Sequence, residues 1–190
     1  IYTSGTTGRS KGAMLSHGAL AANALALHEA WGFTPKDVLL HALPIFHVHG
    51  LFVALHCALL SGCPMVWLAK FSDPEVLSGL RVFICGSAPL LPSTFEEFEQ
   101  RTGQRILERY GMSEAVIITT NPLHGDRIGG SVGYPLPGVD LRVADGETPV
   151  ADGETGVIQI RGPSVFSAYW RMPEKTAEEF TSDGFFITGD

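Results

Sequence analysis

The run Thr3-Ser-Gly-Thr-Thr-Gly-Arg-Ser-Lys-Gly12 limits this chain more than any other stretch. It holds no apolar side chain and so adds nothing to a core; it reads as a loop that leaves a strand end at Ile1 to Thr3. Glycines such as Gly5 and Gly8 let backbone N–H groups turn toward an anion, the hydroxyls of Thr3, Ser4, Thr6 and Thr7 add donors, and Lys11 supplies a mobile positive charge. Such a loop suits phosphate. It is not a Walker A loop, which needs Gly-Lys-Ser/Thr where this chain has Ser-Lys-Gly. The plainer alternative is a flexible surface loop, and the rest of the sequence decides between them.

After the loop, Ser16 is placed to N-cap a helix through about Trp31, with Leu20, Ala24, Leu27 and Ala30 as one buried stripe. A strand at 38–43, an apolar helix within 49–60 and a strand at 65–69 alternate as in an α/β protein. A short strand at 81–85, an amphipathic helix from Pro92 to the Thr102-Gly103 stop, and a strand at 105–108 continue the pattern. Residues 1–125 therefore read as α/β, a parallel sheet with covering helices. Beyond Pro122 short β-rich pieces at 139–143, 157–161 and 185–188 are separated by Asp-Gly and Pro-Gly turns. Residues 126–190 read as a smaller β-rich unit with a helix at about 173–180. Trp31, Trp67 and Trp170 are expected in the core.

Composition closes off several classes. With 190 residues, 45% of them apolar, the chain can bury a sizeable core, and its 22 glycines and 12 prolines carry no period, which means many turns. The net charge is −7 with no run of Lys or Arg, so nucleic acid is not expected as a main partner. The apolar stretch 51–69 is broken by His56, Ser61, Gly62 and Pro64, short of the ~20 residues of a membrane span. Cys57, Cys63 and Cys85 form no C-x-x-C pair, which favours a reducing cytoplasm over a disulfide or zinc framework. Neither a signal sequence nor an initiator Met is present, and a piece of something larger is expected.

Three further motifs can carry chemistry. In Glu108-Arg-Tyr-Gly-Met-Ser-Glu114 a strand runs into a glycine turn; Ser113 offers a hydrogen bond to a phosphoryl oxygen, and Glu114 the hard oxygen that Mg²⁺ prefers. Its plain alternative is a solvated turn in which Glu114 caps a helix. Cys85-Gly-Ser-Ala-Pro-Leu90 sits where open α/β sheets place ligands, at a strand's C-terminal end, and its small residues admit a flat ring. Gly184-Phe-Phe-Ile-Thr-Gly-Asp190 ends in a carboxylate able to accept from a ribose diol, although a lone Asp after Gly is more often a turn residue. His47 and His49 form H-x-H, both on one face if the segment is a strand. No third ligand has suitable spacing, so a pocket or packing role outweighs a metal.

Taken together, the motifs resemble the adenylate-forming superfamily of acyl- and aryl-CoA synthetases, adenylation domains and luciferase-like enzymes. YTSGTTGRSKG looks like its phosphate loop, HALPIFHVHG its aromatic and histidine substrate segment, GSAPL its adenine turn and YGMSE its adenine and Mg²⁺ motif. GETGVIQIRGPSVFSAYW and GFFITGD look like its later β-rich signatures. Within the superfamily the resemblance is to malonyl-CoA synthetases.

The resemblance implies ATP, Mg²⁺ and CoA as cofactor and co-substrates, and a small malonate-like acid as partner. It puts Thr3, Ser4, Gly5, Thr6, Thr7, Gly8 and Lys11 around the ATP phosphates. Gly86, Ser87, Ala88, Pro89, Tyr110, Gly111 and Met112 then lie around adenine, with Ser113 on the α-phosphate, Glu114 on Mg²⁺ and Asp190 on ribose. Lys11, Ser113 and Glu114 are the implied catalytic residues. Arg109 and His47 are the implied substrate-binding pair, Arg109 offering a distal carboxylate a bidentate partner; its plain alternative is an ion pair with Glu108. Ser113 stands where the superfamily usually has Thr, Ser10 where Pro is common, and Ala168 where Gly precedes Tyr-Trp. Some forty residues that the superfamily carries between Lys70 and Arg81 are missing here, as are an N-terminal subdomain and a C-terminal domain with a catalytic lysine. The piece alone is therefore expected to be inactive. A different acyl- or aryl-CoA synthetase, or a non-catalytic nucleotide-binding remnant, is the alternative.

Overall fold

A computed structural model describes residues 1–4, 10–69 and 79–190. Gly5, Thr6, Thr7 and Gly8, the Ser4 side chain, and the short connection after Lys70 lie outside the described residues. The chain divides into two units, each built from separated segments.

The first unit comprises residues 1–22, 113–115 and 137–190. The phosphate-loop motif opens it as a hairpin rather than as a strand leading into one long loop. Strand β1 (Tyr2–Ser4) pairs antiparallel with β2 (Ser10–Gly12), so Thr3 stands opposite Lys11. Helix α1 (His17–Ala30) starts where Ser16 Oγ accepts the Ala19 N–H at 3.0 Å, the N-cap expected from the sequence. Its buried residues are Ala19, Asn23, Ala24, Leu27 and, just beyond its end, Trp31. This corrects the expected stripe, for Leu20 and Ala30 are only half-buried.

Four strands form an antiparallel sheet in this unit: β9 (Asp140–Asp145), β10 (Thr148–Pro149), β11 (Val157–Arg161) and β12 (Phe186–Ile187), in the order β10-β9-β11-β12. Gly146, at φ +60°, makes the tight β9–β10 turn that the Asp-Gly pair announced. Phe166, Tyr169, Phe180 and Phe186 pack with ring centroids 4.7–5.7 Å apart where they touch, beside the short helix α4 (Pro173–Glu178). Trp170 is 53% exposed, against expectation.

The second unit comprises residues 23–112 and 116–136. Here β3 (Leu39–His41) and β4 (Met65–Trp67) pair in parallel, as do β5 (Ile84–Cys85) and β6 (Leu107–Met112). The expected parallel pairing is thus present, but antiparallel strands β7 (Val116–Thr120) and β8 (Tyr134–Pro135) extend the second sheet in the order β5-β6-β7-β8. The connection after β3 carries a π-helical stretch, His49–Ala54, running into helix α2 (Leu55–Ser61). Helix α3 (Pro92–Thr102) stops at Gly103, whose φ of +70° lets its N–H reach back to the Glu99 carbonyl at 2.8 Å.

Polar side chains cross the core of this unit. Asn23 donates to the Ile117 carbonyl at 2.7 Å, and Trp31 donates its indole N–H to Thr120 Oγ1 at 2.9 Å. Each is a buried polar group whose cost is offset by a specific bond to β7. Trp67, at 53% exposure, is not core; its ring stacks on His41 at 4.5 Å.

Candidate active site

The first unit gathers two of the sequence's candidate residues, Lys11 and Glu114, around one it did not single out. Lys11 is carried on β2 and Glu114 on the turn 113–115, and both meet Tyr169. The Tyr169 hydroxyl donates to Glu114 Oε1 at 2.8 Å and accepts from Lys11 Nζ at 3.4 Å. The ammonium also lies 4.5 Å from the tyrosine ring centroid and 3.5 Å from Glu179 Oε1. Lys11, Glu114 and Tyr169 are all buried, so each charge is answered inside the protein. Burial, followed by the Glu114 hydrogen bond, pushes the Tyr169 phenol well above its ordinary range, which keeps it a donor. Glu114 is therefore no solvated cap.

Thr3 faces Lys11 across the hairpin. Ser113 is half-buried on the turn just ahead of Glu114. Asp190 is exposed; its carbonyl accepts the Ile158 N–H at 3.0 Å.

The second unit builds a different cluster. Residues in a strand alternate faces, so Glu108 and Arg109, adjacent on β6, point to opposite sides. Glu108 Oε1 accepts the Gly130 N–H at 3.0 Å. Arg109 instead donates to Ser87 Oγ at 3.0 Å and to His49 Nδ1. Among the described residues no carboxylate forms an ion pair with this guanidinium, which removes the Glu108 alternative. Its Nε has no hydrogen-bond partner among the described residues, although the residue is only 5% exposed. Burial lowers the Arg109 pKa to about 10 and leaves it charged at neutral pH. His49 is held at about 3, first by burial and then by Arg109 and His41, so it is neutral and its Nδ1 accepts the arginine's proton.

The turn Gly86–Pro89 lies at the C-terminal end of β5, as read from the sequence. Because β5 and β6 run in parallel register, with Cys85 opposite Glu108, Gly86 falls beside Arg109. A Cβ at position 86 would stand 2.5 Å from the Arg109 carbonyl and 2.7 Å from its guanidinium carbon, so only glycine fits. Ser87 then takes φ +78°, a left-handed conformation rare for a serine. At Gly111 a Cβ would stand 2.0 Å from the Val116 carbonyl, where a register shift between Tyr110 and Gly111 bends the β6–β7 hairpin. Gly111 is thus a bulge inside β6; the turn itself comes later, at 113–115. Met112 ends β6 and lies 4.0 Å through its sulfur from the Tyr110 hydroxyl.

His47 and Arg109, implied as binders of one substrate carboxylate, are not hydrogen-bonded to each other. His47 is exposed, tilted against Phe46 at 4.5 Å, and it is His49 that meets the arginine. The H-x-H face also dissolves, because His49 begins the π-helical stretch and no strand spans the pair. No cluster of metal-binding side chains occurs among the described residues. Tyr169, Glu179 and His49 were not expected as neighbours of these charges. Only the Tyr169-Trp170 pair within a β-rich signature pointed toward Tyr169, and nothing local pointed to Glu179.

The chain belongs to the family of AMP-binding enzymes, whose model matches residues 1–77 and 72–170. A malonate–CoA ligase of Arabidopsis thaliana is 36% identical over 240 residues, covering 100% of this chain and 39% of that protein. A mitochondrial malonate–CoA ligase of Mus musculus is 37% identical over 256 residues, covering 100% of this chain and 44% of its own length. Among solved structures, apo MatB from Rhodopseudomonas palustris matches with a TM-score of 0.93 and 48% identity over 100% of this chain and 44% of that one. The fold is accordingly that of the large domain of adenylate-forming enzymes. The chain spans about two fifths of the curated relatives it matches. The family match also breaks within 72–77, inside the connection expected to be short.

Proposed function

We propose that the protein containing this chain is an AMP-forming acid–thiol ligase that activates malonate or a close dicarboxylate as its CoA thioester. In the first step one carboxylate attacks the α-phosphorus of ATP and pyrophosphate leaves; in the second the CoA thiol attacks the acyl-adenylate and AMP leaves. Charge neutralisation and positioning carry such chemistry. Thr3, Ser4, Gly5, Thr6, Thr7, Gly8 and Lys11 take the phosphates, Ser113 the α-phosphate, the 86–89 turn and Tyr110 to Met112 adenine, and Asp190 ribose. Glu114 suits Mg²⁺, since it is a buried hard-oxygen donor with one oxygen fixed by Tyr169. When bound, the ion supplies charge neutralisation at the phosphates.

The observation that carries the choice of acid is Arg109, a buried cation answered only by neutral groups among the described residues. A dicarboxylate brings the missing anion, whereas a monocarboxylate leaves the guanidinium desolvated and unpaired. The relatives named for malonate favour the same acid. No helix among the described residues is long and apolar enough to cross a membrane. Three unpaired cysteines, with Cys57 pushed up to about 12 by burial and Cys63, suit a reducing cytoplasm. The test is product analysis with the intact protein, malonate, ATP and CoA: AMP and pyrophosphate are expected, and release of ADP and phosphate overturns the reading.

A further inference from the structure

Tyr169 is assigned to no ligand in the function proposed above, yet main-chain and ring contacts hold it closely between Lys11 and Glu114. The Phe166 N–H donates to the Glu114 carbonyl at 2.7 Å. Ser167 N–H and Met14 N–H exchange 2.9 Å bonds with the Met14 and Ala168 carbonyls, and Trp170 N–H reaches the Gly12 carbonyl at 2.7 Å. Segment 166–170 is therefore stitched by main chain both to the strand that carries Lys11 and to the turn that carries Glu114. The Phe166 ring packs at 4.7 Å and fixes the tyrosine from the side.

A lysine and a glutamate this deeply buried attract each other strongly, since the interior screens them little. A direct pair would occupy both groups at once, withdrawing the ammonium from phosphate and the carboxylate from a cation. Here one oxygen intervenes. The phenol accepts from the ammonium at 3.4 Å and donates to the carboxylate at 2.8 Å. The counter-charge of Lys11 comes instead from Glu179, itself held by Lys175 at 2.9 Å.

We propose that Tyr169 is a positioning residue that fixes the Glu114 carboxylate for Mg²⁺ and keeps Lys11 from pairing with it, with Glu179 as the resting partner of the lysine. This rests on the roles proposed above for Glu114 and Lys11. Partners that orient a metal ligand typically change metal affinity by 10- to 100-fold when removed.

The test uses the intact protein and reads binding rather than turnover: ATP binding by calorimetry across a Mg²⁺ titration, with Mn²⁺ electron paramagnetic resonance as a second probe. Tyr169→Phe keeps the ring and removes the oxygen, and the Mg²⁺ concentration for half-maximal ATP binding should rise about tenfold. A Tyr169→Phe protein that melts at lower temperature but keeps the parent Mg²⁺ dependence makes Tyr169 a packing residue and overturns the proposal. Should the phenylalanine protein fail to fold, Tyr169→His retains a ring N–H donor. A value within about threefold of the parent supports the proposal, and a loss of tenfold or more overturns it. A parent that binds no ATP, with or without Mg²⁺, overturns the ligase reading itself and this proposal with it.

Discussion

Lys11 and Arg109 are both buried cations, and the two units treat them in opposite ways. In the first, Tyr169 and Glu179 answer the ammonium, so a phosphate at the proposed site would compete with contacts the protein already makes. In the second, a neutral histidine and a serine hold the guanidinium without neutralising it. The first arrangement is stable alone and displaceable; the second is costly until an anion arrives. A group shared by every turnover can rest on internal partners, whereas a group that selects among acids discriminates most when its only good counter-ion is the correct substrate.

The largest expected effect breaks the second half of this comparison. Arg109→Gln in the intact protein should lower malonate kcat/KM by about 100-fold, on the order of 3 kcal/mol, while acetate and propionate lose little or gain. A uniform loss across all acids makes Arg109 structural. Lys11→Ala and Glu114→Gln probe the other half and should depress adenylation of every acid alike. Each loses a charge-assisted contact of roughly 1.5–3 kcal/mol, about 10- to 150-fold, read by ATP–pyrophosphate exchange with several acids.

A smaller effect appears in stability against pH. His49 binds its proton far less readily folded, at about 3, than unfolded, near 6.5. Its contribution is whole above pH 6.5 and is lost as pH falls toward 3, by about 1 kcal/mol per pH unit. Urea unfolding between pH 4 and 7 should show this slope, and His49→Asn should flatten it. The smallest change, Ser16→Ala, removes the α1 cap for about 1 kcal/mol and should leave acid preference untouched; a shifted preference there would show that stability alone moves specificity.

The sequence made the elements legible where a local signal was strong. Ser16 capped its helix, Pro92 and Gly103 bounded theirs, and the 157–161 strand came out with the expected ends. It misplaced features set by partners distant along the chain. The buried face of α1 differs from the expected stripe, and Asn23, outside that stripe, is buried and bonds β7 from 94 residues away. His47 was named from the resemblance alone, and nothing in the sequence spacing announced that His49, at the start of a π-helical stretch, meets Arg109. Glu108 and Arg109 are neighbours in sequence, but strand alternation separates their side chains, and only the structure shows Gly130 taking the carboxylate. Tyr169 lies 55 residues from Glu114 and 158 from Lys11, beyond any local pattern.

Gly86 carries a consequence for how this enzyme type diversifies. The position belongs to the turn proposed to receive adenine, and it is also the floor under Arg109, where even a methyl group would strike the guanidinium. On the roles proposed above, a mutation there would be read twice, once by the nucleotide and once by the acid. On the same roles, exchanging Arg109 would retarget the acid while leaving the nucleotide site alone, and changing the ground beneath it would not. Drift in acid preference would then be channelled through the side chains resting on the turn, with the turn as the part of the site held constant.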